Sequence, residues 1–273
     1  MVVRTSKLFG RTPAVIDHDT LKEYCSKSGH GSYAVVEVEQ FDGSYKRREC
    51  PKCFWEARTL APEESDERRA AVEALRAQKL NELLIASGIT PRFRDCTLNS
   101  FMTNGDVGQQ KALKKCQTYV GDFPANWEAG RCLLMLGNIG CGKTHLGSAI
   151  VQSVIRIHGA HALIVSASEV IRVAKGSMAK GAQYTESDIL SELGSLDLLV
   201  LDEVGAQRGS EYEIGLLHEV LDRRYQNVLP TVVISNLGRQ DLTAYIGERA
   251  LDRLRQNGGQ AIGFTWSSAR ASV

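Results

Sequence analysis

An apolar run from Cys132 to Leu136 leads into Gly137-Asn138-Ile139-Gly140-Cys141-Gly142-Lys143-Thr144, and His145-Leu146-Gly147-Ser148-Ala149-Ile150 leads out. No other stretch limits the fold so tightly. It fits G-x-x-x-x-G-K-[ST], a phosphate-binding loop set between a strand and a helix, whose glycines let successive backbone N–H groups face a polyphosphate at the helix N-terminus. A Gly-rich turn matching by chance would lack the strand before and the helix after. Residues 137 to 145 are therefore the expected nucleotide cradle, with Lys143 reaching the β- and γ-phosphates. The Thr144 hydroxyl is expected on Mg²⁺, a small hard ion that keeps waters and substrate phosphates around it.

Downstream, strand-like runs recur at Ala162 to Val165, Leu196 to Leu201, Thr231 to Ser235 and Ala261 to Thr265, separated by helical patterns. Strands alternating with helices mean an α/β fold with a parallel, doubly wound sheet, whose ligands sit beyond the carboxyl ends of the strands. Thr185 to Asp188 and Ser210 to Glu213 carry capping-box spacing, and Ile214, Leu217, Leu221 and Tyr225 recur at helical spacing. The run Leu196 to Leu201 ends in Asp202-Glu203, two carboxylates at the end of an apolar strand, where burying charge is costly unless a cation and a nucleophile compensate. Asp202 fits the Mg²⁺ side and Glu203 the water side, which makes γ-phosphate hydrolysis the reaction class. Asn236 follows the strand ending at Ser235, where it would hold the attacking water or the γ-phosphate, or simply make a turn.

The amino-terminal segment has a different character. Cys25, His30, Cys50 and Cys53, spaced C-x4-H-x19-C-P-K-C, resemble a zinc ribbon, and the Asp42-Gly43 turn between the β-rich Tyr33 to Gln40 and Ser44 to Glu49 would fold both pairs together. Such a metal would be structural, since a segment this small has little core of its own. His18 competes with His30 as the fourth ligand, and unrelated thiols remain the alternative. From Pro62 to Ser87 the chain is charged, with Val72, Leu75, Leu80, Leu83 and Leu84 forming a rough stripe, which predicts a linking helix stopped near Gly88. It is either a solvated face or a docking surface. Ile89 to Phe93, with Leu98 and Phe101, is a short apolar segment that would wall a nucleotide base or pack on the sheet edge. A helix around Gln109 to Val120 follows. The expected divisions are a zinc-ribbon-like module at 1–60, a helical linker at 61–88 and an ATPase domain at 89–273.

The totals exclude several classes. With 273 residues, 43% hydrophobic, 24% charged and a net charge of +1, the chain can bury one sizeable core, and any nucleic-acid contact must come from a local patch. No apolar run approaches a membrane span, and the start lacks a signal peptide's apolar core, so a cytoplasmic location and no membrane partner are expected. Seven cysteines in a reducing compartment read as metal ligands or buried thiols.

Taken together, these pieces resemble the AAA+ ATPases, and within them the DnaC-type helicase loaders and the related IstB transposition helpers. The resemblance runs from about Ile89 to Arg270 and rests on Gly140 to Leu146, Leu198 to Gly205, Leu-Asp-Arg-Arg at 221 to 224, Gly247 to Leu254 and Phe264 to Arg270. It implies a sheet in the order 5-1-4-3-2, Arg253 as an arginine finger that serves a neighbouring subunit, and Arg270 as the sensor-2 arginine. An ATPase weak alone and stimulated by self-association follows, because a guanidinium aimed at the transferring phosphoryl group stabilises charge in the transition state. Without the family, Arg249, Arg253 and Arg255 would read as a solvated basic helix face. No carboxyl-terminal helical lid is expected after the last strand, with the sequence reaching Val273, which resembles the arrangement of loaders and IstB proteins. The resemblance further implies a DnaB-type hexameric replicative helicase and single-stranded DNA as partners. It places Gln207, Arg208, Ser210 and Tyr212 near the strand, where Tyr212 would stack a base and Arg208 neutralise phosphate, or where an ordinary helix begins beside a surface aromatic. An IstB-like transposase assistant, a zinc-dependent DNA adaptor and a small-molecule kinase are the rival readings.

Overall fold

A computed structural model describes residues 8–268. The chain divides into two compact units, one spanning residues 11–86 and the other combining residues 8–10 with 87–268. Among the described residues, no helix is long and apolar enough to cross a membrane.

The first unit opens with an antiparallel sheet, β1 (Val15–Tyr24), β2 (Ser32–Glu39) and β3 (Tyr45–Arg47), in the order β1-β2-β3. The β2–β3 connection is the hairpin expected around Asp42-Gly43, and Ser44 donates from both N and Oγ to the Asp42 carboxylate. β1 pairs with β2 through an irregularity that shifts the register between His18 and Lys22. Two helices follow, α1 (Pro51–Thr59), with Pro51 at its first turn, and α2 (Asp66–Ile85), capped by the Ser65 side chain. Asn81 of α2 accepts from the Phe41 N–H at 2.8 Å and donates to the Glu39 carbonyl at 2.9 Å, so the helix closes over the end of the hairpin. The helix expected to link two modules is thus part of the amino-terminal unit, and the boundary falls at 86/87 rather than on either side of a free linker.

The second unit is built on β4 (Leu133–Gly137), β5 (Ala162–Ser166), β6 (Leu198–Asp202), β7 (Thr231–Ser235) and β8 (Gln260–Phe264). All pairings are parallel and the order is β5-β6-β7-β4-β8, which counted from the strand entering the phosphate loop reads 5-1-4-3-2. β6 and β7 are buried along their whole length, as unbroken apolar runs covered on both faces should be. Around the sheet stand α3 (Val107–Gly121), α4 (Phe123–Glu128), α5 (Lys143–His158), α6 (Ala167–Ser177), α7 (Glu186–Leu193), α8 (Glu211–Gln226) and α9 (Arg239–Arg255). Both expected capping boxes form, Thr185 with Asp188 on α7 and Ser210 with Glu213 on α8. α9 is broken at Gly247, whose φ of 77° and ψ of 154° lie outside the helical region. After β8 the described chain has no helix, and residues 265–268 turn back along the phosphate loop.

Candidate functional site

β4 delivers Gly137 at the carboxyl end of the sheet, and α5 leaves from Gly142. Gly137 has φ 132°, and a Cβ there would meet the Phe264 carbonyl oxygen at 2.2 Å, so glycine is needed where β8 crowds the loop. Gly142 has φ 84° and faces the Phe101 ring, 2.6 Å from where a Cβ would stand. The segment around Phe101 therefore packs on the loop itself. His145 turns the same way: its ring lies 3.1 Å from the Thr97 carbonyl and 3.3 Å from the Ser100 hydroxyl, edge-on to Phe101. Gln152 of α5 fastens this segment by donating to the carbonyls of Phe93, Arg94 and Cys96.

The Lys143 side chain is buried and its Nζ donates to the carbonyls of Gly137 at 2.7 Å and Asn138 at 2.5 Å. Burial lowers its pKa, which a polyphosphate arriving in the loop would reverse by supplying negative charge. Thr144 Oγ1 donates to Asp202 Oδ2 at 2.8 Å, so a hydroxyl and a carboxylate share one spot beside the loop. That donor set, two hard oxygens, suits Mg²⁺. Burial raises the Asp202 pKa above the ordinary carboxylate range, while the hydrogen bonds from Thr144 and from the Glu203 N–H at 2.7 Å pull the other way.

Glu203 is exposed and sits at φ 57°, a left-handed conformation that costs energy in a residue with a side chain. Gln207 holds this turn: its Nε2 donates to the Glu203 carbonyl and to Ser168 Oγ, and its Oε1 accepts from the Gly205 N–H and the Tyr245 hydroxyl. Asn236 is exposed immediately after β7, on the strand beside β4. Ile139 projects from the loop at 68% exposure.

Residues 264–268 complete the cradle. The Asn138 N–H donates to the Phe264 carbonyl at 2.9 Å, and its side-chain amide faces the carbonyls of Thr265 and Trp266. Cys141 Sγ donates to the Trp266 carbonyl at 2.8 Å while the Trp266 indole returns a bond to the Cys141 carbonyl at 3.2 Å. Ser268 lies directly over Gly140. Phe101 belongs to the segment expected to wall a nucleotide base or pack on the sheet edge, and Trp266 to the Phe264–Arg270 motif, but sequence spacing marks neither as a partner of the loop itself. Arg270, two residues further on, lies outside the described residues.

Arg253 stands elsewhere. It lines a cavity of about 280 Å³ with Cys132, Thr231, Leu254 and Asn257, at the amino-terminal ends of β4 and β7. A strand's length, roughly 16 Å for five residues, separates that end from the phosphate loop. Its guanidinium pairs with Asp222 and lies over the Tyr225 ring, 5.0 Å from the centroid. Arg224, beside it in the same motif, is fully buried and structural, bonding to Thr231 and to the carbonyls of Leu193, Leu196 and Pro230.

In the loop leading to α8, Arg208 is exposed. The other two predicted strand contacts are engaged locally. Ser210 caps α8, and the Tyr212 hydroxyl donates to Glu186 at 2.7 Å while its ring packs on the core. Burial with the Glu186 bond pushes the Tyr212 pKa up to about 12.

In the first unit, Cys25, His30, Cys50 and Cys53 converge, their ligand atoms all within 4.8 Å of one another. His18 is apart, facing Glu37 on β2 at 3.4 Å. His30 Nδ1 faces the three sulfurs and Nε2 meets Glu56 at 2.8 Å, the carboxylate–imidazole relay that commonly orients a metal-bound histidine. The N–H groups of Cys53 and Lys52, at the start of α1, hold the Cys50 pKa down to about 7. The hydrogen bond with Cys25 pushes Cys53 up to about 12, because three sulfurs this close cannot all ionise without a cation among them. Three thiols and one imidazole in that arrangement suit a closed tetrahedral Zn²⁺.

Residues 109–255 match the family model of IstB-like ATP binding proteins. The replicative helicase loader DnaC of Buchnera aphidicola (subsp. Acyrthosiphon pisum) is 33% identical over 198 residues, 72% of this chain and 78% of that protein. DnaC of Escherichia coli K12 is 31% identical over 207 residues, 76% and 82%. The crystal structure of a DnaC helicase loader superposes with a TM-score of 0.57 at 24% identity, covering 64% of this chain and 99% of that one.

Proposed function

The chain belongs to the AAA+ family that unites IstB-like ATP-binding proteins with DnaC replicative helicase loaders, and from that premise we propose that it is an ATP-dependent loader of a DnaB-type helicase onto single-stranded DNA. The observation that carries this reading is likeness to the DnaC loaders over about three quarters of the chain, well beyond the nucleotide site alone. ATP binding promotes assembly on helicase and strand, and hydrolysis releases the loader.

In the chemistry we infer, the loop amides and Lys143 take the β- and γ-phosphates, with the ammonium leaving the carbonyls of Gly137 and Asn138 for phosphate oxygen. Thr144 and Asp202 would hold a Mg²⁺, which when bound would supply charge neutralisation to the phosphates. Glu203 draws the proton from the attacking water, and the strained turn that presents it stays fixed through Gln207. Asn236 orients that water or the γ-phosphate. Arg253 serves a neighbour's nucleotide, a reading supported by its distance from the loop of its own chain. Such a finger contributes about 10³- to 10⁵-fold to turnover, so the lone protomer is a weak ATPase. Arg270, outside the described residues, is proposed from the family resemblance alone as the sensor-2 arginine for the same phosphates. Cys25, His30, Cys50 and Cys53 would hold a structural Zn²⁺ in the amino-terminal unit, and that unit, α2 included, is the expected grip on the helicase. Arg208 supplies phosphate contact to single-stranded DNA.

The test is light scattering after size exclusion of the protein mixed with its host's replicative helicase, with and without ATP and Mg²⁺. A joint complex that weakens when residues 11–86 are excised, leaving residues 8–10 with the second unit, supports the loader. A helicase that elutes alone under every condition transfers the proposal to a transposase assistant.

A further inference from the structure

α9 does not run straight to Arg253. The break at Gly247, next to the Ile246 carbonyl, turns Glu248–Arg255 into a second, separately oriented helical segment. That carbonyl is met by His218 Nε2 of α8. One turn further along α8, Asp222 pairs with Arg253, and beyond it Tyr225 supports the guanidinium from below. The spacing 218, 222, 225 is i, i+4, i+7, a single stripe on one helix face. Packing alone does not fix Arg253, because its side chain borders the cavity at the amino-terminal ends of β4 and β7. Gln226 holds the other carboxylate oxygen of Asp222 at 2.8 Å, so the acid is itself oriented.

We infer that Asp222 is a positioning residue for Arg253, and that the α8 stripe His218, Asp222 and Tyr225 is the template that aims this arginine toward the neighbouring subunit's nucleotide. The inference rests on the reading of Arg253 as a finger acting between subunits. Removing the carboxylate leaves the guanidinium free to rotate into the cavity, and a displacement of this kind costs roughly 10- to 100-fold in turnover with little effect on ATP binding.

The experiment measures ATP turnover by the full chain with Mg²⁺, a single-stranded oligonucleotide and the replicative helicase. Asp222→Asn is expected to lower kcat with KM for ATP nearly unchanged, Asp222→Glu to recover part of the loss, and Asp222→Asn to add nothing to Arg253→Ala. Mixing Asp222→Asn with Lys143→Ala subunits should raise turnover above either alone, because the second supplies a well-aimed arginine to the intact phosphate loops of the first. A variant that had merely lost its fold would not be rescued this way. Full kcat in Asp222→Asn, additive losses in the double variant, or no rescue on mixing overturns the inference. Full turnover in Arg253→Ala instead overturns the finger reading beneath it.

Discussion

Replacing Arg224 should unfold the ATPase unit long before it alters the chemistry. The guanidinium is fully buried and carries four bonds: to Thr231 Oγ1 at 2.9 Å, to the carbonyls of Leu193 at 2.5 Å and Leu196 at 2.9 Å, and to the Pro230 carbonyl at 2.7 Å. It thereby ties the end of α7, the approach to β6 and the start of β7 to α8. Burial lowers its pKa to about 10, still far enough above neutrality to keep it charged. Arg224→Met retains most of the volume but none of the donors. Each acceptor left unsatisfied costs about 1 kcal/mol or somewhat more, so the four together cost about 4 kcal/mol. Domains have only about 5–15 kcal/mol to lose. For a unit of this size the melting temperature falls by about 2–4 °C per kcal/mol, which predicts a drop of about 8–16 °C by calorimetry. Nucleotide affinity, measured well below the new midpoint, should change little. A melting temperature within about 2 °C of the parent would refute the claim that these bonds hold the sheet's amino-terminal end together.

Three further outcomes follow from the two sites. Because burial raises the Asp202 pKa, protons compete with Mg²⁺ for this carboxylate more strongly than for an exposed aspartate, so Mg²⁺ affinity should fall as the pH is lowered. Mg²⁺ titrations against a fluorescent ATP analogue between about pH 7 and about pH 5 read this, and Asp202→Asn should flatten the dependence. Gly142→Ala places a methyl against Phe101 at a positive φ, and should weaken ATP binding about tenfold or more by calorimetric titration, with partial recovery in the Phe101→Ala background. Metal analysis should find one zinc per chain, absent from Cys50→Ser, Cys53→Ser protein; chelation should increase amide exchange across residues 11–86 while ATP affinity of the second unit holds.

What was legible in the sequence was what is encoded locally. The phosphate loop, the two capping boxes and the apolar runs of β4 to β8 each need only neighbours a few residues away, and each lies where its spacing predicts. β1 escaped notice because Val-Ile-Asp-His-Asp-Thr-Leu-Lys-Glu-Tyr is largely exposed and interrupted by a register shift, which erases the alternation a strand normally shows. The choice between His18 and His30 could not be made from spacing, since it depends on which residues the hairpin brings opposite Cys50 and Cys53. Adjacent arginines at 223 and 224 look alike in the chain, yet one is half-buried and the other sealed beneath the sheet. Tyr212 offers a surface aromatic in sequence, and only the fold shows that Glu186, 26 residues away, takes its hydroxyl. The break at Gly247 is likewise invisible until α8 is seen to meet the carbonyl beside it.

The central position of β4 has a consequence for how the protein is made. One edge of β4 pairs with β7 and the other with β8, and Asn138, the first residue beyond the strand, donates its N–H to the Phe264 carbonyl. On a ribosome emitting the chain from its amino terminus, the loop and α5 emerge long before Gln260, so one side of β4 waits unpaired while more than a hundred residues are added. Parallel pairings between such distant segments form slowly, and an apolar strand with an open edge invites pairing with another chain. The nucleotide cradle is therefore completed late in synthesis, and a nascent chain stalled between β7 and β8 is the species most in need of a chaperone.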